Sequence, residues 1–302
     1  MSELTVFAPA KINLILRILD RRSDGFHNLW SIMQTVALED EVRISLSPGR
    51  PGIRLRCDDG QLAADQSNLV YRAAAAVLER IRQSIGLDVE LRKRIPMGAG
   101  LGGGSSDAAA TIIGLNRLLR LGWSPVEMAE VGQSLGSDVP FFFFAPSAFV
   151  AGRGETVRPV DIAGMRWVVL VNPGFGVNTK WAYQELAAAR MGVAPLSPVQ
   201  LELDKQSWLS WDQLIAVTEN DFEGPVFAAH GMLREIKQRL RVHGAEVSLL
   251  SGSGATVFGI FKDEIGARRA EAFLVQEKSL SVFVVPFCAG PLLVREKRPG
   301  VG

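Results

Sequence analysis

The chain has 302 residues, 47% of them hydrophobic, which is enough to bury a full core and to form two domains. Its 33 lysines and arginines nearly balance 32 aspartates and glutamates, so no overall positive field attracts nucleic acid or an anionic membrane. Two cysteines, Cys57 and Cys288, exclude a disulfide framework. The chain also has no signal-peptide pattern, and its longest uncharged run, residues 139–152, is too short to span a bilayer. Together these features predict a cytoplasmic protein.

The first half of the chain is predicted to be rich in strands before its first helix. Apolar runs and period-two alternation predict strands at residues 5–8, 12–17, 29–38, 42–46 and 53–57. A helix then begins at Asn68, followed by a strand at 87–93 and helices at 106–119 and 125–135. The long β region at the start argues against a βαβ dinucleotide-binding fold.

A change of sequence texture near residues 152–156 predicts a boundary between a domain of residues 1–154 and one of residues 155–302. The second domain is predicted to contain strands at 167–171, 247–250, 256–261 and 281–286, and helices at 179–190, 208–216, 225–241 and 264–277. This order suits helices packed on one face of a mainly antiparallel sheet. Residues 295–302 are expected to form a disordered tail.

The segment from Pro96 to Ser106 carries the strongest indication of ligand binding. Five glycines, Gly98, Gly100 and residues 102–104, fall within seven residues, and two serines and an alanine-rich helix follow. Glycine lets the backbone approach a ligand closely, and a helix N-terminus presents free N–H groups to it. The segment therefore predicts a phosphate-binding loop rather than a flexible linker, which would seldom lie tightly between a strand and a helix.

Two common phosphate loops fit this segment incompletely. Gly98, Gly100 and Gly103 match the G-x-G-x-x-G of dinucleotide-binding domains, but the following helix leads into another helix. The acidic residue that should end a second strand is therefore missing. A Walker loop would require a lysine where Gly104 stands.

Residues 96–106 strongly resemble the phosphate loop of the galactokinase, homoserine kinase and mevalonate kinase superfamily. That loop consists of a proline, Gly-Leu-Gly and a serine pair that opens a helix, supplied here by Pro96, residues 100–102 and residues 105–106. Gly103 and Gly104 lengthen the loop, as in the branch that phosphorylates 4-diphosphocytidyl-2-C-methyl-D-erythritol. The resemblance implies that ATP binds here with Mg²⁺, whose ligands the sequence leaves unknown. The residues implied in ATP binding are Pro96, Met97, Gly98, Ala99, Gly100, Leu101, Gly102, Gly103, Gly104, Ser105, Ser106 and Asn68.

Lys11 and Asn13 lie two residues apart in a predicted strand, so they share one face of an otherwise apolar stretch. A lysine that protects an edge strand from aggregation would explain this pattern as well. Residues 9–14, Pro-Ala-Lys-Ile-Asn-Leu, are also similar to the first motif of the same kinase branch, whose lysine lies by the acceptor hydroxyl. The resemblance thus implies a catalytic role for Lys11 and a substrate contact for Asn13.

Asp138 lies in Gly-Ser-Asp-Val-Pro-Phe, residues 136–141, between a turn and an apolar run that is expected to form a buried strand. An aspartate in an Asx turn would fit the local pattern. The segment also resembles the one that carries the catalytic aspartate of these kinases. The resemblance implies that Asp138 is the general base.

Phe26 and His27 stand in a predicted turn, where a ring can stack on a nucleobase and an imidazole can form hydrogen bonds to its edge. Tyr183 lies one helical turn after Thr179 on the same helix face, as an ordinary amphipathic-helix aromatic would. In the resembling kinases the turn is usually Asp-Gly-Tyr-His and helps to hold cytosine; Phe26 lacks that hydroxyl. The resemblance implies substrate contacts from Phe26, His27, Thr179 and Tyr183, with cytosine between the rings of Phe26 and Tyr183.

The motifs occur in the order that this kinase branch has, at residues 8–14, 24–27, 96–107, 136–141 and 251–256, the last resembling a third glycine motif near the phosphates. The resemblance implies an α+β, two-domain small-molecule kinase fold with a ribosomal-protein-like N-terminal domain and a ferredoxin-like C-terminal domain. It implies ATP-dependent phosphorylation of the 2-hydroxyl of 4-diphosphocytidyl-2-C-methyl-D-erythritol, in the non-mevalonate route to isoprenoid precursors. The expected protein is a monomer or homodimer with neither nucleic acid nor membrane as a partner.

Two other functions agree with part of the pattern. A homoserine or mevalonate-phosphate kinase would keep the glycine loop and Asp138 but would not need the rings of Phe26 and Tyr183. An RNA-binding module would use the ribosomal-protein-like domain, but the near-zero net charge opposes it.

Overall fold

The computed structural model describes residues 3–190, 192 and 194–296. Two long antiparallel strands, β1 (Glu3–Arg21) and β2 (His27–Leu46), form the hairpin around which the first sheet is built. The sequence predicts each of them as two shorter strands. They are continuous because β-bulges, the first between Pro9 and Ala10, absorb the irregular positions without ending the ladder.

The other strands complete an eight-stranded sheet, a four-stranded sheet and a small pair. Their bounds are β3 (Gly52–Cys57), β4 (Gly86–Arg92), β5 (Ser147–Gly152), β6 (Thr156–Pro159), β7 (Asp161–Ile162), β8 (Trp167–Asn172), β9 (Trp208–Leu209), β10 (Glu219–Asn220), β11 (Val247–Leu250), β12 (Val257–Phe261), β13 (Ser281–Pro286) and β14 (Val294–Glu296). The first sheet has the central order β10-β1-β2-β4-β3; β14 pairs with β1, and β5 pairs with β2 and β6. The second sheet, β11-β12-β8-β13, is antiparallel throughout, whereas β7 and β9 pair in parallel.

The helices differ from the sequence prediction at residues 198–203, 208–216 and 230, and at the start of the helix that follows the glycine segment. Their bounds are α1 (Leu69–Arg80), α2 (Gly103–Leu118), α3 (Pro125–Gln133), α4 (Thr179–Ala189), α5 (Pro198–Leu203), α6 (Trp211–Ile215), α7 (Glu223–Ala229), α8 (Gly231–Val242) and α9 (Glu264–Leu274). The helix predicted at residues 208–216 consists of β9 and α6. The helix predicted at 225–241 is interrupted at His230, whose φ of −128° and ψ of 76° are not helical. Residues 198–203 were not predicted to be helical.

The apolar run after Asp138 was predicted to be a strand, and this is wrong. Pro140–Phe143 form a short 3-10 helix, and the strand β5 begins only at Ser147. Pro140 begins the helix, where its missing N–H costs nothing, whereas in a central strand it would leave a ladder position without a donor. Asp138 consequently lies in a turn between two helical segments.

Two apolar cores connect the layers. In the first sheet, residues such as Val6 and Ile44 pack with α1 and α2, while Val169 of β8 belongs to the core on the side of α8 and α9. Val168, next to Val169, lies on the opposite face of β8 because side chains alternate along a strand. It belongs to the core between the two sheets, which also contains Leu101 of the glycine segment. This second core therefore anchors the phosphate loop in the interior.

The proposed boundary between residues 154 and 155 falls in the turn between β5 and β6, and it stays a prediction. Arg295 and Glu296 were expected in a disordered tail, but they belong to β14 and pair with Thr5 and Leu4. Residues 297–302 of that tail lie outside the described residues. Within the described ranges, no helix combines the length and apolar character needed to cross a membrane.

Candidate active site

Helix α2 begins at Gly103, three residues before the predicted start, so Ser105 and Ser106 lie in its first turn. The residue before it, Gly102, has a φ of 69°, which glycine adopts without the strain of a side chain. No side chain caps α2. Its first N–H groups, which have no partner within the helix, therefore face outward at the positive end of the helix dipole, an arrangement that binds anions.

The glycine loop is held by contacts with β1 and with the turn after β11. The backbone N–H of Lys11 donates to the Leu101 carbonyl at 2.9 Å, and Ser251 Oγ donates to the Gly100 carbonyl at 2.9 Å. Gly100 has a φ of 78°, and a Cβ atom there would lie 2.0 Å from the Ser251 carbonyl oxygen. Only glycine fits at this position, so the loop and the turn are fitted together at the level of the backbone.

A cavity of about 440 Å³ opens beside this loop. Every residue predicted to bind ATP lines it except Ser106, which is fully buried and whose hydroxyl has no hydrogen-bond partner among the described residues. Asn68 lines the cavity, but its side chain caps α1: Oδ1 accepts from the Val70 N–H at 2.9 Å, and Nδ2 donates to the Ala63 carbonyl at 2.7 Å. A contact of Asn68 with a nucleotide stays a prediction.

A buried ionic cluster that the sequence did not indicate adjoins the same cavity. Lys93 Nζ donates to Asp107 Oδ2 at 2.7 Å and also to Asp40, which accepts from the N–H groups of Arg94 and Ile95. Burial by itself lowers the pKa of Lys93, but the charges of Asp107 and Asp40 outweigh it and raise this pKa. Burial, reinforced by the charge of Asp40 and opposed by that of Lys93, raises the pKa of Asp107 to about 8. Sequence reasoning missed the cluster because it joins segments far apart in the chain.

A second cavity, of about 150 Å³, brings together the predicted catalytic pair and three predicted substrate residues: Lys11, Asp138, Asn13, Thr179 and Tyr183. Lys11 Nζ lies 3.4 Å from Asp138 Oδ2. The side chain of Lys11 is 4% exposed and that of Asp138 is 30% exposed, so a buried ammonium meets a carboxylate at the cavity surface. The arrangement brings a carboxylate that could accept a proton beside an ammonium that could stabilise negative charge.

Asn13 holds this lysine in place. Its Oδ1 accepts from Lys11 Nζ at 2.8 Å and from the Gly252 N–H at 3.1 Å, while its Nδ2 donates to Ser31 Oγ at 2.9 Å. Ser31 in turn donates to the Ile15 carbonyl at 2.6 Å. The structure therefore gives Asn13 a positioning role, and its contact with substrate stays a prediction.

Thr179 connects the start of α4 with the glycine turn at residues 251–255. Its Oγ1 lies 2.9 Å from Ser253 Oγ, and both residues line the second cavity. Ser253 belongs to the third glycine motif, but the sequence did not indicate that its hydroxyl reaches this cavity.

A third cavity, of about 350 Å³, adjoins the second through Tyr183, which lines both. The ring of Tyr183 stacks on His27, with centroids 4.7 Å and planes 20° apart. Burial, reinforced by Asp138, raises the pKa of Tyr183 to about 12, so its hydroxyl is neutral at ordinary pH. Burial, reinforced by Arg21 and Arg190, lowers the pKa of His27, and its imidazole is therefore neutral at pH 7.

Phe26 does not line the cavity of His27 and Tyr183. Its side chain is 50% exposed, and the Arg153 guanidinium carbon lies 3.8 Å from its ring centroid. The ring that stacks on Tyr183 is the imidazole of His27. A cytosine sandwiched between Phe26 and Tyr183 stays a prediction, since the two rings are not paired in this structure.

Comparison with known proteins finds two family matches in this chain. Residues 68–145 match the family described as GHMP kinases N terminal domain, and residues 201–279 match GHMP kinases C terminal. A 4-diphosphocytidyl-2-C-methyl-D-erythritol kinase of Geobacter sp. (strain M21) is 42% identical over 272 residues, covering 90% of this chain and 94% of that protein. The protein of the same name from Syntrophus aciditrophicus (strain SB) is 40% identical, covering 93% and 98%.

Solved structures agree with these relatives. A crystal structure of 4-(cytidine 5'-diphospho)-2C-methyl-D-erythritol kinase matches with a TM-score of 0.77 and 33% identity, over 95% of this chain and 100% of that one. Homoserine kinase from Cytophaga hutchinsonii matches in fold, with a TM-score of 0.75, 19% identity, and coverage of 98% and 97%. The predicted two-domain α+β kinase fold is confirmed. The chain belongs to the GHMP kinases and, within them, to the family of 4-diphosphocytidyl-2-C-methyl-D-erythritol kinases.

Proposed function

We propose that this protein transfers the γ-phosphoryl group of ATP to the 2-hydroxyl of 4-diphosphocytidyl-2-C-methyl-D-erythritol. The observation that carries the proposal is that the three cavities are neighbours. Gly100 and Gly102 line both the glycine-loop cavity and the cavity of Lys11 and Asp138, and Tyr183 lines both the second cavity and the third. This arrangement supports a phosphate site, a base with its cation and an aromatic pocket in the order that the reaction needs.

The transfer depends on positioning and on charge neutralisation, which the chain supplies on both sides of the reacting group. The uncapped N-terminus of α2 and the loop backbone hold the phosphates. Asp138 takes the proton of the acceptor hydroxyl, and Lys11, 3.4 Å away, stabilises the developing charge. The hydrogen bond from the Lys11 N–H to the Leu101 carbonyl fixes the position of β1, which carries Lys11, relative to the phosphate loop.

Mg²⁺ is expected to accompany ATP. The described part of the chain has no group of three or more histidine, cysteine, aspartate or glutamate side chains that could hold a metal by itself. Mg²⁺ in kinases is commonly held by few protein ligands together with phosphates and water, so these residues fit a metal carried mainly by the triphosphate. The hydroxyl of Ser106 has no partner among the described residues, but Ser106 is fully buried and does not line the cavity, so the protein ligands of the metal stay unassigned. When bound, the metal neutralises phosphate charge.

A panel assay of ADP release tests the proposed function. The purified protein is incubated with ATP, Mg²⁺ and, separately, the cytidyl substrate, homoserine or a mevalonate phosphate, with the Asp138→Asn variant as a control for contaminating kinases. We expect turnover of the cytidyl substrate only, abolished or strongly reduced in the variant. Turnover of homoserine alone would contradict the proposed substrate but would still agree with a kinase of this fold. Action in the cytoplasm and the oligomeric state, monomer or homodimer, stay predictions.

A further inference from the structure

Asn220 is a buried polar residue whose side chain connects the two large sheets. It lies on β10, which pairs in parallel with β1, so that Asn220 is the ladder partner of Leu16. Its Nδ2 reaches the turn that follows β11, where it donates to the carbonyls of Leu250 and Gly252, both at 2.8 Å. Asn220 is 5% exposed and lines none of the three cavities. Any part that it takes in the reaction must therefore act through other residues.

The hydrogen bonds of Asn220 use both ends of its amide group and fix the orientation of that group. Oδ1 accepts from the Phe222 N–H at 2.9 Å, so Nδ2 is the atom that faces the two carbonyls. Reversal of the amide would place its oxygen against two carbonyl oxygens and its nitrogen against an N–H group, and all of these hydrogen bonds would be lost. A buried amide that is satisfied in this way is rigid, as a residue that holds a turn in place must be.

Gly252 links this amide to Lys11. The carbonyl of Gly252 accepts from Asn220, while its N–H donates to Asn13 Oδ1 at 3.1 Å. The same Oδ1 accepts from Lys11 Nζ at 2.8 Å. A chain of hydrogen bonds therefore leads from the amide of Asn220 to the ammonium that lies 3.4 Å from Asp138.

The turn that Asn220 holds also contacts the phosphate loop. Ser251, in the middle of this turn, donates through Oγ to the Gly100 carbonyl at 2.9 Å. The strands β11 and β12, which flank the turn, belong to the second sheet, whereas β10 and β1 belong to the first. Asn220 therefore fixes the turn of one sheet against the strand of the other sheet that carries Lys11.

We infer that Asn220 is a positioning residue for the phosphoryl transfer, and that it sets the place of Lys11 through Gly252 and Asn13. The inference rests on the proposed function and adds to it a residue that lies outside the three cavities. A displacement of about 1 Å far from the reacting atoms can lower a rate about 100-fold. Loss of the Nδ2 hydrogen bonds is therefore expected to act on kcat rather than on binding of the cytidyl substrate.

Steady-state kinetics of Asn220→Asp in the full-length protein test the inference. The aspartate keeps the acceptor for the Phe222 N–H, but a carboxyl group cannot donate to both carbonyls in either protonation state. We expect kcat to fall by about 10- to 100-fold and the KM for the cytidyl substrate to change by less than about threefold.

The matched control is Asn116→Asp. The Oδ1 of Asn116 accepts from the Trp123 N–H and its Nδ2 donates to the Trp123 carbonyl, both at 3.0 Å, so this amide also bridges backbone groups. Asn116 lines none of the three cavities and has no hydrogen bond to the chain that leads to Lys11. The control variant should keep the wild-type kcat.

A double-mutant cycle with Asn13→Ala separates positioning from a general loss of structure. Asn13→Ala removes the link between Gly252 and Lys11, so the further change Asn220→Asp should lower kcat by less than about twofold. A merely structural Asn220 would lower kcat by the same factor in both backgrounds, and that result overturns the inference. ADP release gives kcat, and calorimetric binding of an ATP analogue shows which variants are folded.

The remaining outcomes separate this inference from the proposed function. Wild-type kcat in Asn220→Asp overturns the role of Asn220. Asn220→Ser, which is neutral and too short to reach the carbonyls, is measured in the same way, with the same expected loss of kcat. If both Asn220 variants fail to fold while Asn116→Asp folds, Asn220 is a structural residue and the inference is wrong. A wild type that does not turn over the cytidyl substrate overturns the proposed function and the inference together.

Discussion

The nucleotide side of the site is made largely of backbone, whereas the acceptor side is made of side chains. In the loop, Gly100 and Gly102 have φ values of 78° and 69°, and the first N–H groups of α2 are uncapped. Gly100 and Gly102 also line the second cavity, where the side chains belong to Lys11, Asp138 and Tyr183 among others. We therefore expect an added side-chain atom to impair ATP binding by the loop. Removal of a side chain from the second cavity should impair catalysis or substrate binding.

The N-termini of α2 and α3 differ in how their N–H groups are satisfied. Helix α3 begins with a capping box in which Ser124 and Glu127 satisfy each other's backbone N–H groups. Helix α2 is preceded by Gly102 and has no such side chain. We attribute the difference to the phosphate, which would take the place of the cap.

Removal of the carboxylate on the acceptor side is expected to have the largest effect. Asp138→Ala should lower kcat by about 10²- to 10⁴-fold, the span for loss of a general base. ATP binding should hardly change because Asp138 does not line the nucleotide cavity. ADP release gives kcat, and titration with an ATP analogue gives binding. A folded variant with nearly normal kcat would show that another group is the base.

Addition of one methyl group on the nucleotide side is expected to have the next largest effect. In Gly100→Ala the new Cβ would lie 2.0 Å from the Ser251 carbonyl oxygen, so the loop must shift. We expect ATP binding to weaken by about 10- to 150-fold, as for backbone strain of up to about 3 kcal/mol. The matched control is Gly122→Ala, where φ is also positive, at 71°, but no atom lies within 4 Å. Equal KM values for ATP in both variants would contradict the fitted-loop interpretation.

Truncation of the ring between the second and third cavities should affect the cytidyl substrate and not ATP. Tyr183→Ala is expected to weaken binding of the cytidyl substrate by about 5- to 150-fold, the value of one base–aromatic stack. Tyr183→Phe keeps the ring and should bind normally. Competition by CMP in the kinase assay measures the effect. If CMP competes equally well in the wild type and in the Tyr183→Ala variant, the ring of Tyr183 does not stack on the base.

The smallest expected effect is a pH dependence on the acceptor side. Burial, with Arg21 and Arg190, lowers the pKa of His27 from 6.5, so the neutral imidazole persists to lower pH than in a free histidine. Protonation below that pKa removes its acceptor nitrogen, and the KM for the cytidyl substrate should rise by about 3- to 10-fold between about pH 7 and about pH 5. His27→Gln should lose this dependence, while the KM for ATP provides the control. A wild-type KM that is constant over this range would exclude the neutral imidazole as a determinant of binding.

The sequence indicated much of the candidate site. The glycine segment has local features of a phosphate loop, whereas the roles expected for Lys11 and Asp138 came from the resemblance of their short motifs to those of the kinase branch, and they stay predictions. The predicted starts of α1, α3, α4 and α9 agree with the structure, whereas α2 begins at Gly103, three residues before its predicted start. The break at His230 was also missed, since the residues on both sides follow a helical pattern.

By itself the sequence determined which backbone segments can approach a phosphate, because the φ range of glycine and the free N–H groups of a helix N-terminus are local properties. Tertiary structure alone decided which side chains meet. It placed Asp138 beside Lys11, His27 on Tyr183 and Phe26 outside their cavity. Distances, burial and the pKa shifts that follow from them depend on packing between segments far apart in the chain, which no local pattern contains.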